Sequence, residues 1–221
     1  MSTNPVRIPV AGATLDGDLV QPENARGLVL FAHGSGSSRH SPRNRYVAGV
    51  LQQAGLATLL MDLLTPGEEA VDLRTAELRF DIPLLARRLV GATGWLLQQP
   101  QTRELKIGYF GASTGAAAAL IAGAQRPQTG AVVSRGGRPD LAGDALPQVQ
   151  APTLLIVGGR DLPVIEMNRT ALAELRCEKQ MVIVPGATHV FEEPGALEEV
   201  ARLARAWFEQ HLIGRSGQRV A

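Results

Sequence analysis

The chain has 221 residues, enough for one well-buried core, and α/β proteins commonly use this length as a single domain. Hydrophobic residues make up 45% of the chain and charged residues 19%, the balance of a globular protein that folds throughout. Lys and Arg number 22 against 21 Asp and Glu, so the net charge of +1 offers no overall field for nucleic acid or an anionic membrane, and neither partner is expected.

Cysteine usage and hydropathy bear on the compartment. The single cysteine, Cys177, excludes an intramolecular disulfide, and residues 1–12 lack the apolar run of a secretory signal. The most apolar stretch, residues 116–123, is far shorter than the roughly 20 residues that span a bilayer. These features predict a cytoplasmic protein that does not enter the membrane.

Short apolar runs without alternation are typical of parallel strands that are covered by helices on both faces. Segments with helical spacing separate these runs, and this alternation predicts a parallel sheet with flanking helices. Residues 6–20, broken by Gly12 and Gly17, instead predict an antiparallel hairpin at the sheet edge. The predicted strands are 28–32, 56–61, 107–110, 131–133, 153–157 and 181–184, and the predicted helices are 46–53, 82–98, 116–125, 166–175 and 197–211.

Two further signals concern the ends of elements. The carboxylate of Asp81 can cap a helix, and Pro83 is tolerated only in a first turn, so the long second helix is predicted to begin near Ile82. Residues 214–221 are small and polar, which predicts a frayed tail.

Residues 111–115, Gly-Ala-Ser-Thr-Gly, follow a predicted strand and precede a predicted helix. This G-x-S-x-G pattern in strand–turn–helix context is typical of a nucleophilic serine. The turn is so tight that the residues two before and two after Ser113 must be small, as Gly111 and Gly115 are. At the helix N-terminus, the N–H of Thr114 and the helix dipole can stabilise a developing oxyanion. The alternative is an ordinary glycine-rich connection.

A nucleophilic serine needs a general base, and the chain has four histidines. His189 lies in the loop after the last predicted strand, at the carboxyl edge where parallel sheets bind ligands. His211 falls in the final amphipathic helix, and His33 and His40 precede Ser113 in a segment with another role. His189 is therefore the candidate base, with a buried structural histidine as the alternative.

A third group should orient the imidazole and stabilise its charged form. Asp161 follows the predicted strand that comes before the His189 loop, which suits this role. The order Ser113, Asp161, His189 is the chain order of the α/β-hydrolase triad. Asp140 and Asp144, which follow the preceding strand, are competing acids, and a surface or capping role is the alternative for Asp161.

The loop after the first parallel strand, residues 33–38, consists mainly of small residues. It occupies the position from which such hydrolases supply the second oxyanion donor. The backbone N–H of Ser35 is the first candidate and would act together with that of Thr114. A flexible turn without this role is the alternative.

With these residues the sequence resembles the dienelactone-hydrolase-like branch of the α/β-hydrolases, from Val6 to Leu212. The resemblance implies a mostly parallel central sheet flanked by helices and a cofactor-free hydrolysis of an ester or related acyl bond. One departure is that dienelactone hydrolase itself uses a cysteine nucleophile where this chain has Ser113. Many relatives insert a lid domain where this chain has only residues 135–152, too few for one, so the site should be open, with residues 63–80 as a partial cover.

Arginines are frequent along the predicted rim of the site. Guanidinium groups clamp carboxylates or phosphates, so Arg135, Arg39 and Arg43 are candidate substrate-binding residues. Arg135 is foremost because it lies closest to a strand end. The structural alternative is that rim arginines bind loop carbonyls and pair with Asp140 or Asp144. The full set of rim arginines is Arg39, Arg43, Arg45, Arg135 and Arg138.

The leading prediction is a serine hydrolase that cleaves a carboxylic ester or related acyl bond of a small molecule through an acyl-enzyme. It requires neither cofactor nor metal. Thioester hydrolysis would use the same residues, and a non-catalytic binding module on a reused fold is the alternative from another class. The sequence leaves the oligomeric state open.

Overall fold

The computed structural model describes residues 3–10 and 12–213. Its strands are β1 (Asn4–Val10), β2 (Ala13–Val20), β3 (Leu28–Ala32), β4 (Ala57–Met61), β5 (Ile107–Ala112), β6 (Val132–Arg135), β7 (Thr153–Gly158) and β8 (Lys179–Val184). Its α-helices are α1 (Pro42–Gln53), α2 (Pro66–Thr75), α3 (Ile82–Leu96), α4 (Thr114–Gln125), α5 (Leu162–Glu174) and α6 (Ala196–Phe208).

The eight strands form one sheet in the order β1-β2-β4-β3-β5-β6-β7-β8. The β1–β2 hairpin is antiparallel and lies at one edge, β2 joins β4 antiparallel, and the other neighbours pair in parallel. One core, with α3 and α4, covers one face of the sheet, and a second core, with α1 and α6, covers the other. The predicted mostly parallel α/β sheet is confirmed, and no large lid is evident among the described residues.

Three element boundaries differ from the sequence prediction for local reasons. β6 continues to Arg135, because Ser134 and Arg135 are buried and extend the ladder although both are polar. α1 begins at Pro42, where the Ser41 hydroxyl accepts the N–H of Asn44. α6 ends at Phe208, and a π-helical turn follows over Glu209–Ile213.

The predicted cap of α3 is confirmed, since the Asp81 carboxylate accepts the Leu84 N–H at 2.9 Å. The predicted frayed tail, residues 214–221, lies outside the described residues. None of the described helices has the length and apolar character needed to cross a bilayer.

Helix α2 is the element that the sequence pattern missed. It begins with a capping box, in which the Thr65 hydroxyl accepts the Glu68 N–H and the Glu68 carboxylate accepts the Thr65 N–H. Of its own residues only Asp72 is buried, so it has no apolar stripe. Most of the long connection between β4 and α3 is therefore helical. The connection between β6 and β7 contains only a kinked 3₁₀ segment over Pro139–Gln148.

Candidate active site

Ser113 occupies the sharp turn between β5 and α4. Its φ of 50° and ψ of −123° are unusual for a residue with a side chain and cost on the order of 1 to 3 kcal/mol. The turn is held by its backbone, because the Ser113 N–H donates to the Arg135 carbonyl at 3.3 Å and the Ser113 carbonyl accepts the Arg138 N–H at 3.1 Å. The serine is therefore presented at the N-terminus of α4 in a fixed orientation.

The two glycines of the motif allow α4 to approach the sheet. A Cβ at Gly115 would collide with the carbonyl oxygens of Ala32 and His33, and a Cβ at Gly111 would collide with the Cα of Ala116. These neighbours are backbone atoms, so no side chain can move aside. The steric requirement that the sequence motif suggested is present at both positions.

His189 and Asp161 meet at the same edge of the sheet. The imidazole Nδ1 lies 2.6 Å from Asp161 Oδ2. Because a carboxylate only accepts, the hydrogen of this bond lies on Nδ1. The His189 side chain is 43% exposed whereas that of Asp161 is 15% exposed, so the imidazole can reach a bound substrate. No hydrogen bond joins His189 to the Ser113 hydroxyl within the described part of the chain, and such contacts are commonly loose before substrate binds.

The oxyanion loop lies against the serine. A Cβ at Gly34 would lie 3.0 Å from the Cβ of Ser113, so the loop passes directly beside this serine. The Ser35 N–H donates to the Thr114 hydroxyl at 3.0 Å, and this bond ties the loop to the first turn of α4. The N–H of Thr114, at the first helical position, has no partner within the helix. The two predicted donors are thus neighbours in space.

The competing acids and histidines have other contacts. Asp140 is engaged by the Arg138 guanidinium at 2.7 Å, and Asp144 is exposed on the 3₁₀ segment. His40 lies 2.9 Å from an Arg45 nitrogen, and His211 stacks on Trp207 with ring centres 4.5 Å apart. None of these four side chains contacts Asp161 or His189 through a described hydrogen bond.

His33 joins two strand ends. Its Nε2 accepts the Leu63 N–H at 3.1 Å, so this nitrogen is unprotonated and Nδ1 donates to the Gly34 carbonyl at 2.9 Å. Burial lowers the pKa of His33, although the Gly34 hydrogen bond and nearby carboxylates act in the opposite direction. His33 is thus neutral and fixes the start of the oxyanion loop.

The three arginines that the sequence singled out for substrate binding differ in their partners. Arg39 forms ion pairs with Asp62 and Asp18, so its charge is already compensated. Arg135 is 7% exposed and donates to the Asn44 amide oxygen at 3.3 Å. Arg43 lies on the first turn of α1, close to the same place. The sequence contained no signal for Asn44 as a partner of Arg135.

A cleft that is partly open to solvent begins at the predicted oxyanion loop and continues under α2. Residues 34–38 form one wall, and the apolar side chains Leu63, Leu64 and Leu73 line the other. The predicted partial cover, residues 63–80, thus contributes to this cleft through α2. No group of three or more potential metal ligands occurs within residues 3–10 and 12–213.

An eight-stranded, mostly parallel sheet with a strained serine between β5 and α4 and an acid–histidine pair at the same edge defines the class of α/β-hydrolases. The chain belongs to the dienelactone hydrolase family, whose model matches residues 16–212. It is 66% identical to a dienelactone hydrolase from Anabaena variabilis, with a TM-score of 0.94 over 96% of this chain and 98% of that one.

Two further comparisons concern a protein that shares only the fold and relatives that share the sequence over part of their length. Est1E from Butyrivibrio proteoclasticus shares the fold alone, with 16% identity and a TM-score of 0.78 over 94% of this chain and 98% of that one. Curated proteins from two strains of Mycobacterium tuberculosis, provisionally named phosphoribosyl transferases, are 62% identical over 208 residues. That match covers 94% of this chain but 45% of each relative, so the chain spans about half of their length.

The glycine requirement can be tested within α4. Gly115→Ala should lower the free energy of unfolding by about 3 kcal/mol or more, because the new methyl group meets backbone atoms that cannot yield. Gly123→Ala is the matched control, since its Cβ would meet only Val132 Cγ2 at 3.4 Å and alanine favours a helix by about 0.5 to 1 kcal/mol. Urea unfolding measures both. Equal stabilities would contradict the close approach.

The neutral state of His33 predicts a pH effect on stability. In the unfolded chain histidine titrates near 6.5, whereas in the folded protein the pKa is lower, so the unfolded state binds more protons below that pH. Acidification from pH 7.5 to 5.5 should therefore remove up to about 1.4 kcal/mol of stability. The loss should be smaller in His33→Gln, measured by urea unfolding at both pH values. An identical loss in both proteins would exclude this role for His33.

Proposed function

We propose that the protein is a serine hydrolase that cleaves a carboxylic ester or a related acyl bond. The observation that carries the proposal is the 2.6 Å contact between His189 and Asp161 at the sheet edge where the strained Ser113 is presented. Membership of the dienelactone hydrolase family supports hydrolysis as the reaction class. We also propose that Ser113, His189 and Asp161 form the triad and that the N–H groups of Ser35 and Thr114 bind the oxyanion.

The proposed reaction has two halves. The Ser113 hydroxyl attacks the carbonyl carbon while Nε2 of His189 takes its proton, and Asp161 stabilises the resulting imidazolium through Nδ1–H. The N–H groups of Ser35 and Thr114 donate to the oxyanion, and the alcohol leaves with the proton from Nε2. Water then attacks the acyl-enzyme with His189 again as the base, which releases the acid and restores Ser113.

In the free protein the Thr114 hydroxyl accepts the Ser35 N–H, so this donor has to exchange partners when an oxyanion forms. The exchange costs little, because one acceptor replaces another and the oxyanion is the stronger of the two. The bond also keeps the loop ordered before substrate arrives. The Ser35 donor therefore becomes available to the oxyanion only after this exchange, within a loop that is already ordered.

The cleft under α2 is the candidate site for part of an acyl substrate, because it starts at the oxyanion loop and four leucines line it, together with Asp62, Glu69, Asp72 and Arg79. Thioesters would use the same residues, so a panel of esters and thioesters with matched acyl groups separates these two activities. The mycobacterial relatives carry a transferase name, but this chain matches only 45% of their length, so we do not extend that activity to this chain.

Ser113→Ala should abolish hydrolysis of p-nitrophenyl acetate, with a loss on the order of a millionfold in turnover, since the mechanism has no other nucleophile. Circular dichroism checks that the variant is folded. A fluorophosphonate probe should label the wild-type protein and not the variant. A folded variant with near wild-type turnover would exclude Ser113 as the nucleophile, and an unlabelled wild type would favour a non-catalytic binding module.

Asp161→Asn should lower turnover by roughly four orders of magnitude, because an amide can hold the imidazole in the wrong tautomer. Asp144→Asn makes the same chemical change at an exposed position and should have a mild effect. Steady-state hydrolysis of the same ester compares them. If the two results were reversed, the acid would have to be reassigned.

A further inference from the structure

Arg135 is buried beside the nucleophile without an ion-pair partner. It ends β6 next to Ala112 of β5, and its carbonyl accepts the Ser113 N–H. Its guanidinium carbon lies 5.9 Å from the centre of the Phe191 ring, and one terminal nitrogen donates to Asn44. The Nε atom is buried and has no hydrogen-bond partner in the part of the chain that the structure describes. A buried cation in this state is unusual, because the Asn44 hydrogen bond and the Phe191 ring compensate its desolvation only in part.

A second cation lies close to it. Arg43, in the first turn of α1, also has a buried Nε without a described partner. Burial, together with the like charge of Arg43, lowers the pKa of Arg135 to about 10. The Arg135 guanidinium therefore still carries its charge at neutral pH, although Arg43 repels it. No carboxylate within residues 3–10 and 12–213 lies within ion-pairing distance of either one.

Three neighbouring arginines do pair with carboxylates. Arg39 pairs with Asp62, Arg45 with Asp18 at 3.2 Å, and Arg138 with Asp140 at 2.7 Å. These residues lie on the same loops and helix as the two unpaired arginines, so acidic partners were available in this region. Arg43 and Arg135 differ from these three arginines in that no described carboxylate pairs with them.

The backbone near Arg43 adds to the attraction for an anion. Arg43 is the second helical residue of α1, so its N–H has no partner within the helix and the helix dipole is positive at this end. Helix N-termini and guanidinium groups are both common phosphate ligands. A carboxylate would neutralise one of the two cations, whereas a phosphate monoester carries about −1.5 to −2 at pH 7 and matches both.

We propose that Arg43 and Arg135 form a binding site for a phosphate group of the substrate, on the α1 side of Ser113. The proposal rests on the proposed hydrolase function, because an anion site beside Ser113 binds part of the substrate only if Ser113 is the nucleophile. The cleft and the arginine pair lie on opposite faces of the sheet, because the cleft includes Leu85 of α3 whereas Arg135 contacts α1. The proposed substrate class is therefore an ester or thioester whose phosphorylated arm lies on the α1 side of Ser113.

Inorganic phosphate is the probe. At constant ionic strength, adjusted with sodium chloride, phosphate should raise the melting temperature of the wild-type protein and inhibit p-nitrophenyl acetate hydrolysis competitively. Arg43→Met should raise the phosphate inhibition constant about tenfold or more, because a charge-assisted hydrogen bond is lost. Arg45→Met removes the same charge from the same helix, at an exposed residue paired with Asp18, and should leave the constant unchanged.

Arg135→Met should weaken phosphate binding to a similar extent. If it also lowers the melting temperature without phosphate, Arg43→Met decides the question, because Arg43 is only partly buried. Acetate at the same ionic strength tests a carboxylate ligand. An acetate effect equal to that of phosphate, or a phosphate effect equal in Arg43→Met and Arg45→Met, would overturn the proposal.

Ser113→Ala separates this proposal from the hydrolase proposal. The variant should still be stabilised by phosphate, since the arginines do not need the serine hydroxyl. Stabilisation that depends on Arg43 in a protein that hydrolyses no ester would leave the phosphate site standing and refute the hydrolase. Ester hydrolysis by a protein that phosphate neither stabilises nor inhibits would do the reverse.

Discussion

The arrangement at the carboxyl edge of the sheet depends on how closely α4 approaches β3 and β5. Gly115 lets the first turn of α4 pass against the carbonyl oxygens at the end of β3, and Gly111 lets β5 pass against α4 itself. Because α4 lies so close, the turn between them must be sharp, and Ser113 takes a backbone conformation that costs free energy. The same approach brings the oxyanion loop, which leaves β3, against the serine. The close approach of α4 thus sets the positions of both Ser113 and the loop.

The carboxyl edge of the sheet has two regions, one in which charged side chains are paired and one in which they are not. Around the oxyanion loop, charges are neutralised in pairs, and neutral His33 fixes the loop to the chain after β4. On the other side of Ser113 two guanidinium groups lack such compensation. Strong ion pairs stabilise the loops that hold the site, whereas uncompensated charge is available to a ligand. A fold with a net charge of only +1 can therefore still concentrate positive charge at one place.

The sequence was most informative where chemistry directly follows a buried strand. Residues Ser113, Asp161 and His189 each come after an apolar run, and parallel strands bring their carboxyl ends to one edge, so chain order alone predicted their convergence. Whether they form a working triad remains a prediction. The partners of the arginines could not be predicted in this way. Arg39 contacts Asp18 and Asp62 because β2 and β4 are neighbours in the sheet, and this depends on strand order rather than local pattern.

Helix α2 lies at the cleft and is held mainly by contacts within its own connection. Its start is fixed by the internal capping box, and Asp72 pairs with Arg79 at 2.6 Å within the same connection. One ion pair, between Glu68 and Arg88 at 2.5 Å, anchors it to α3. The connection adds no strand to the sheet and holds none of the proposed catalytic groups. Evolution could therefore exchange this segment as a unit, changing the residues that line the cleft while the sheet and the residues at its carboxyl edge are inherited unchanged.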